Sequence, residues 1–353
     1  MSDVNEKTMK NPAPNRQRPT IADVARAAGV STTTVSHALN DKGYVDQQTR
    51  ERVKETARAL GYRPSVRAQR LRTGEAHTIA LISSMPFEIA GGASRLGFLM
   101  EVAAVAAAAA LTRGLALVLV PPVMAGRLPL EQLDIDGAIV IEPTTDDANV
   151  AHLQDRGLPV VCLGRQPGNA SVPFVDIHSS ATTELLLNHL HDQGSRRIAL
   201  IIGAQQRNSY IEARASYERF CAAHGMAPVI SVADESGGEA AGRDACAALL
   251  REHPDVDGLC ALVDAFAVGS VQAIAETGRR VPADIKVVTR YDGTRARSCR
   301  PPLTAVDLHL DDMALQAVEL LFAHLASKDG AQSVMPPLPT LVIRESSGAA
   351  GAN

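Results

Sequence analysis

The stretch GVSTTTVSHALN, Gly29 to Asn40, sets three consecutive threonines where a short helix begins. Upstream of it, Thr20 can cap a helix whose Ile21, Val24, Ala25 and Ala28 follow the i, i+3, i+4, i+7 spacing of an amphipathic face, and Gly29 stops that helix. Ser31 is a good N-cap for a second helix with Val35, Ala38 and Leu39 inward, which leaves Thr32, Thr33, Ser36 and His37 on its outer faces. Asp46 caps a third, with Val53, Ala57 and Leu60 buried, ended by Gly61 and followed by Pro64. Two helices joined by a tight Gly-containing turn and braced by a third make a helix-turn-helix over residues 19–64.

The surrounding chain agrees with a polyanion-facing head. The net charge of −4 hides an asymmetry: residues 1–75 hold 14 Lys and Arg against 8 Asp and Glu, leaving 21 against 31 in the remainder. A basic head on an acidic body suits contact with nucleic acid. Residues 1–18, polar and rich in Pro and Asn without periodicity, read as a flexible lead-in. They lack the apolar stretch of a secretory signal, and no apolar run approaches the ~18 residues of a membrane span, so a cytoplasmic protein with no membrane partner is expected. The five cysteines, Cys162, Cys221, Cys246, Cys260 and Cys299, are widely spaced and read as reduced thiols, mostly in the core.

Beyond residue 75 the pattern changes. Apolar runs TIALIS, LALVLVP, GAIVIE, PVVCLG, RIALIIG, GLCALV and IKVVTR alternate with helical stretches at Ser94 to Arg113, Thr182 to Gln193, Arg207 to His224, Gly238 to His253 and Ala265 to Thr277. Such alternation implies parallel sheets with helices on both faces. A break near Gly164 to Pro173 divides the strands into two groups, so residues 76–344 are expected to form two α/β lobes with a cleft between them. The last helix, Asp311 to Ser327, should pack back on this body, and residues 345–353 read as a flexible tail.

PTIADVARAAGVSTTTVSHALN followed by TRERVKETARALGYRPS resembles the N-terminal domain of lactose-repressor (LacI/GalR) type regulators, densely over Pro19 to Gly74. Thinner similarity continues through DGAIVI, RRIALIIG, VDAFAVGSVQAIAETGRRVPADIKVV and RPPLTAVDLH, to about residue 330. The resemblance implies an all-α helix-turn-helix domain followed by a two-lobed α/β domain of the periplasmic-binding-protein-like (type I) fold, which binds an effector and dimerises. It implies a repressor that recognises palindromic double-stranded operator DNA as a homodimer and is controlled by a sugar or related metabolite. A corepressor-dependent or dual regulator, and a solute-binding protein with the same body, are the alternatives.

Within that resemblance the second helix enters the major groove, with Thr32, Thr33 and His37 at base edges, Ser31, Thr34 and Ser36 at phosphates or the helix cap, and Asn40 completing the DNA-facing set. The physics is compatible, since hydroxyls donate to or accept from bases, Thr methyls meet thymine methyls, and helix N-termini favour phosphate. The basic SVRAQRLRT, Ser65 to Thr73, is too short to stand alone as a helix. In the family such a hinge, here residues 65–75, orders on DNA and drives a leucine matching Leu71 into the minor groove, with Arg70 and Arg72 beside it.

For the effector the resemblance assigns Ser84, Met85 and Phe87 in the loop after the first strand, Arg214 in the S-x-x-x-x-R pattern from Ser209, Asp264 just before AFAVGSV, and Asp292 in RYDG; with no Trp in the chain, Phe87, Phe266 or Tyr291 is the ring left to stack on a ligand. An Arg facing an Asp across a cleft, such as Arg214 and Asp292, would grip a polar ligand through charge-assisted hydrogen bonds. GGASRLGF, Gly91 to Phe98, lacks the G-x-G-x-x-G spacing, and its G-x-S-x-G match fails at Leu96. His189 and His191 fall on different faces of a helix, unlike a zinc pair four apart. No cofactor, metal or catalysis is expected. The glycine-rich ending SSGAAGAN does not suit a coiled coil, so a dimer is expected over a tetramer.

Overall fold

A computed structural model describes residues 19–41, 43–63, 74–90, 97–120, 129–326 and 332–348. The chain separates into two compact units, residues 1–75 and 76–353, each taken by itself below.

The first unit holds α1 (Ile21–Ala28), α2 (Thr32–Leu39) and α3 (Gln47–Ala59). Each begins with a side-chain cap. Thr20 and Asp23 form a capping box, Ser31 Oγ accepts from Thr34 N, and the Asp46 carboxylate accepts from Thr49 N. Gly29, at φ +66°, turns the chain out of α1 in the left-handed region where a Cβ would be strained. The core expected from periodicity forms: Val24, Ala25, Ala28, Val35, Ala38, Val53 and Ala57 are buried together. Leu60 departs from that expectation, being the exposed C-cap of α3.

The second unit has two parallel sheets. One contains β1 (Thr78–Ser83), β2 (Ala116–Val120), β3 (Gly137–Ile141), β4 (Val160–Leu163) and β5 (Phe174–Val175), in the order β2-β1-β3-β4-β5. The other contains β6 (Ile198–Gly203), β7 (Ile230–Ala233), β8 (Gly258–Ala261) and β9 (Lys286–Thr289), in the order β7-β6-β8-β9. The helices are α4 (Phe87–Ala90), α5 (Phe98–Thr112), α6 (Ala148–Asp155), α7 (Ser179–Asp192), α8 (Asn208–Ala223), α9 (Gly238–Glu252), α10 (Asp264–Glu276), α11 (Thr294–Ser298) and α12 (Leu310–Ala326). Every residue of β1, β3, β4, β6 and β8 is buried, because helices cover both faces of each sheet, and this explains their unbroken apolar runs.

The chain changes lobe later than the expected break at Gly164 to Pro173. Phe174 and Val175 first add β5 to the first sheet, pairing with Cys162 and Leu163. The passage follows at Asp176 to His178, and α7 packs on the second lobe's α8. A matching passage lies at Asp307 to His309, after which α12 returns to pack on α5 and β4 of the first lobe. The two passages share one device, VDIH and VDLH: an aspartate carboxylate accepts from the histidine N–H two residues on, at 2.7 and 2.8 Å, and the histidine takes a left-handed φ of 51° or 54° before the helix starts. The antiparallel pair β10 (Ala305–Asp307) and β11 (Thr340–Val342), together with β5 and β7, was not anticipated from the apolar pattern.

The expectation of a flexible tail from residue 345 is corrected for residues 345–348. Ser346 and Ser347 are fully buried; Ser346 Oγ donates to Val287 O and accepts from Thr304 N, and its carbonyl accepts from Val287 N. Ser347 Oγ lies 2.8 Å from His189 Nε2 and donates to Thr304 Oγ1. Backbone groups of β9 that would otherwise be buried without partners find them here. The lead-in 1–18, the hinge residues 64–73 with Arg70, Leu71 and Arg72, Gly91 to Leu96, and residues 349–353 lie outside the described residues.

Candidate DNA-reading helix and interlobe cleft

On the three-helix unit, Ser31, Thr32 and Thr33 are exposed at the N-terminal turn of α2, while Thr34, Ser36 and His37 are half-buried. Ser31 is committed to the cap: its hydroxyl accepts from Thr34 N at 3.0 Å and shares a hydrogen bond with Thr34 Oγ1 at 2.8 Å. Asn40 closes the other end, its Nδ2 donating to Ser36 O at 2.8 Å. The His37 ring lies against Gly43, where a Cβ would come within 2.7 Å of Nδ1. Behind the helix, Lys54 and Arg50 pair with Asp41 and hold its carboxyl below the usual aspartate range. The geometry leaves Thr32 and Thr33 as the hydroxyls facing outward, with the positive end of the α2 dipole beside them.

In the second unit, charged residues gather where strands end. Glu142 follows β3, Arg207 follows β6, Glu235 follows β7, Asp264 follows β8 and Arg290 follows β9, all at carboxyl ends, the place where open parallel sheets bind ligands. Arg207, 1% exposed, is the N-cap residue of α8 and spans both lobes. Its Nε and Nη2 donate to the Glu235 carboxylate at 3.0 and 3.1 Å, Nη2 also to Ser84 O at 2.8 Å, and Nη1 to Glu142 O. Burial opposes the charged guanidinium, but the Glu235 hydrogen bonds and charge outweigh it and raise the Arg207 pKa. Tyr210 donates to Glu235 Oε1 at 2.6 Å, and burial pushes that phenol well up.

Glu142 receives Ser209 Oγ at 2.7 Å and faces Arg290 Nη1 at 2.9 Å. Arg295 bridges the lobes a second time, donating to Ile89 O and Glu88 O from one side and meeting Asp264 Oδ1 at 3.3 Å on the other. Burial raises the Asp264 pKa against the pull of Arg295. Between them is a cavity of about 20 Å³, edged by Met85, Phe98, Asp264, Arg290 and Tyr291. It has room for about one water molecule.

Several assigned residues stand elsewhere. Arg214 is exposed on α8, whose inward stripe runs through Ser209, Ala213, Ser216 and Tyr217. Five residues beyond Ser209 it has turned about 140° from that stripe, so it does not face Asp292. The guanidinium on Asp292 is instead that of Arg344, at 2.6 Å, with Arg297 at 3.3 Å. Burial works to raise the Asp292 pKa, but these two arginines hold it below the usual range. Phe266 is fully buried beneath α9, where Gly242 passes so close that a Cβ would lie 2.3 Å from its Cα, so its ring packs the core. Ser84, Met85 and Asp264 do reach the cleft, and the Phe87 side chain lies outside the described atoms.

Arg207, Glu142, Glu235, Arg290 and Arg295 were not singled out from sequence. A usable signal was present for two of them: a charge closing an otherwise apolar strand, as in GAIVIE and IKVVTR. His189 turns inward to Ser347 while His191 packs against His224 with ring centroids 4.4 Å apart and planes tilted by 54°, and among the described residues no cluster of three or more acidic, His or Cys side chains is placed to hold a metal.

A capped helix-turn-helix and a two-lobed α/β body with a polar cleft at its strand ends together define a ligand-linked regulator. Residues 20–65 match the family described as bacterial regulatory proteins, lacI family, and residues 187–347 match the periplasmic binding protein-like domain. The chain is 31% identical to the HTH-type transcriptional regulator CelR of Thermobifida fusca, over 94% of this chain and 99% of that protein. It is 28% identical to the HTH-type transcriptional repressor PurR of Mannheimia succiniciproducens, over 93% and 98%. Among solved structures it resembles a transcriptional regulator CelR–cellobiose complex (TM-score 0.68, 29% identity, 93% of this chain and 100% of that one). It also resembles the lac repressor dimer bound to operator and the anti-inducer ONPF (TM-score 0.73, 25% identity, 94% and 100%). The chain belongs to the lacI family of bacterial transcriptional regulators.

Proposed function

We propose that the protein is a repressor that recognises a palindromic operator as a homodimer and whose operator affinity is set by a small molecule bound between the two lobes. The observation that carries this reading is the outward display of Thr32 and Thr33 on a helix whose cap, core and bracing helix are all complete. In this reading Thr32, Thr33 and His37 meet base edges, the α2 N-terminus with Ser31 and Thr34 meets phosphate, and Arg70, Leu71 and Arg72 engage the minor groove.

The effector occupies the cleft lined by Ser84, Met85 and Asp264, and the passages at His178 and His309 are where the lobes turn on opening. The relatives' descriptions support a small-molecule effector, since one solved neighbour is a cellobiose complex and another holds both operator and anti-inducer. A ligand that binds the closed and open lobes unequally shifts their populations, and by linkage shifts operator affinity. Selection of duplexes from a randomised pool by the full-length protein tests the reading. A two-fold symmetric consensus is expected; enrichment of no sequence over random competitor at moderate salt removes it.

A further inference from the structure

The charges between the lobes are unevenly served. Arg207 keeps Glu235 on its own lobe, and Asp264 keeps Arg295. Arg290 has no such arrangement. It is 6% exposed, its Nε and Nη1 make no hydrogen bond, and the carboxylate it faces is that of Glu142 on the opposite lobe. Glu142 is itself 2% exposed and held at a left-handed φ of 50°. On the adjoining strand end, where Ser84 N donates to Ile141 O, the residue before Glu142, Ser84 Oγ is buried without a hydrogen-bond partner.

A ligand larger than the cavity of about 20 Å³ enters only when the lobes part. Parting carries Glu142 away from Arg290, and when the lobes close again over a ligand that keeps the two apart, water is excluded from a cation without its anion on one wall and from a carboxylate beside an idle hydroxyl on the other. Either group left unpaired is costly, so the occupant must supply what each loses. Arg290 donates only, and requires an anion. Glu142 accepts, and requires donors.

We propose that the effector is a small anionic polyol, whose acidic group takes Glu142's place on Arg290 and whose hydroxyls donate to Glu142 and to Ser84. A carboxylate or a phosphate supplies the acidic group equally. A neutral sugar leaves Arg290 uncompensated. This deepens, and rests on, the reading of the cleft as the effector site.

The test uses full-length protein at fixed ionic strength, with calorimetric titration and thermal shift against D-gluconate, D-glucose 6-phosphate, and the neutral D-glucitol and D-glucose. At least one anion should bind about 10- to 100-fold tighter than its neutral counterpart, the range expected when a hydrogen bond to a charged group is gained. A gluconate response identifies the carboxylate source, a glucose 6-phosphate response the phosphate. Arg290→Gln should abolish the preference and Arg290→Lys should keep most of it, with circular dichroism melting to check that both fold. Neutral ligands binding as tightly as the anions, no anion of the panel binding, or an undiminished preference in Arg290→Gln each overturns the proposal. Operator selection on the same preparation separates the two failures: intact selection without anion preference removes the ligand class alone, whereas absent selection removes the regulator reading.

Discussion

Replacing Arg207 by methionine examines the interlobe network at its centre. The side chain is 1% exposed and its loss leaves the Glu235 carboxylate, also 1% exposed, with Tyr210 as its remaining hydrogen-bond donor among the described residues. It also strips a donor from Ser84 O and another from Glu142 O. Removing one partner of a buried pair typically costs about 3–5 kcal/mol, because the other charge stays desolvated and unmatched. In larger domains each kcal/mol shifts Tm by about 2–4 °C, so the second unit's melting should fall by roughly 6–20 °C. The cost should be largely one of stranded charge, and the double variant Arg207→Met/Glu235→Gln should therefore recover at least about 1 kcal/mol of it, a non-additivity readable by a double-mutant cycle. Calorimetric melting of the four proteins is the assay. A single-variant loss below about 1 kcal/mol, or strict additivity, refutes the argument that this pair is buried and mutually dependent.

Other outcomes follow from separate features. Thr33→Ala should alter preference at one operator position by about 1–3 kcal/mol while leaving non-specific affinity nearly unchanged, measured by fluorescence anisotropy against single-base operator variants; a uniform loss on all sequences would contradict base reading. Thr20→Ala, which breaks the α1 capping box, should lower the stability of the three-helix unit by about 0.5–2 kcal/mol in denaturant titration. Ser346→Ala should destabilise by about 1–3 kcal/mol, since Thr304 N and Val287 O lose a buried partner; no change would mean the segment is not pinned. Asp292 has its pKa lowered in the folded protein, so its contribution is fully present above the unfolded value near 3.8 and is lost as pH falls through the folded value. Asp292→Asn should flatten the dependence of stability on pH below about 4, read by urea titration at several pH values.

The helix-turn-helix was legible because caps and apolar spacing are local. Thr20, Ser31 and Asp46 each accept from the N–H three residues on, as their positions in the sequence require. The long strands were legible for a related reason: a strand buried on both faces has no polar positions to blur it. β5 and β10 escaped notice because two or three residues make no periodic signal, and their pairing is decided by partners far along the chain. In the cleft, the S-x-x-x-x-R spacing sets Arg214 opposite Asp292, yet one residue of offset on a helix turns a side chain by about 100°. Asp292 then pairs with Arg344, 52 residues away, a contact that no local pattern encodes. Arg207 sits in plain sight between strand and helix, and only the closing of Glu235 and Glu142 around it reveals its part.

The burial of Ser346 and Ser347 bears on how the chain is made. β9 obtains hydrogen-bond partners from residues synthesised well after it, and the first lobe obtains α12 only after the entire second sheet has been translated. During synthesis, then, the three-helix head can assemble early, while both lobes wait half-built until residues 310–348 have left the ribosome. Truncation by even a few residues before position 346 should yield a body that aggregates rather than a slightly shorter regulator.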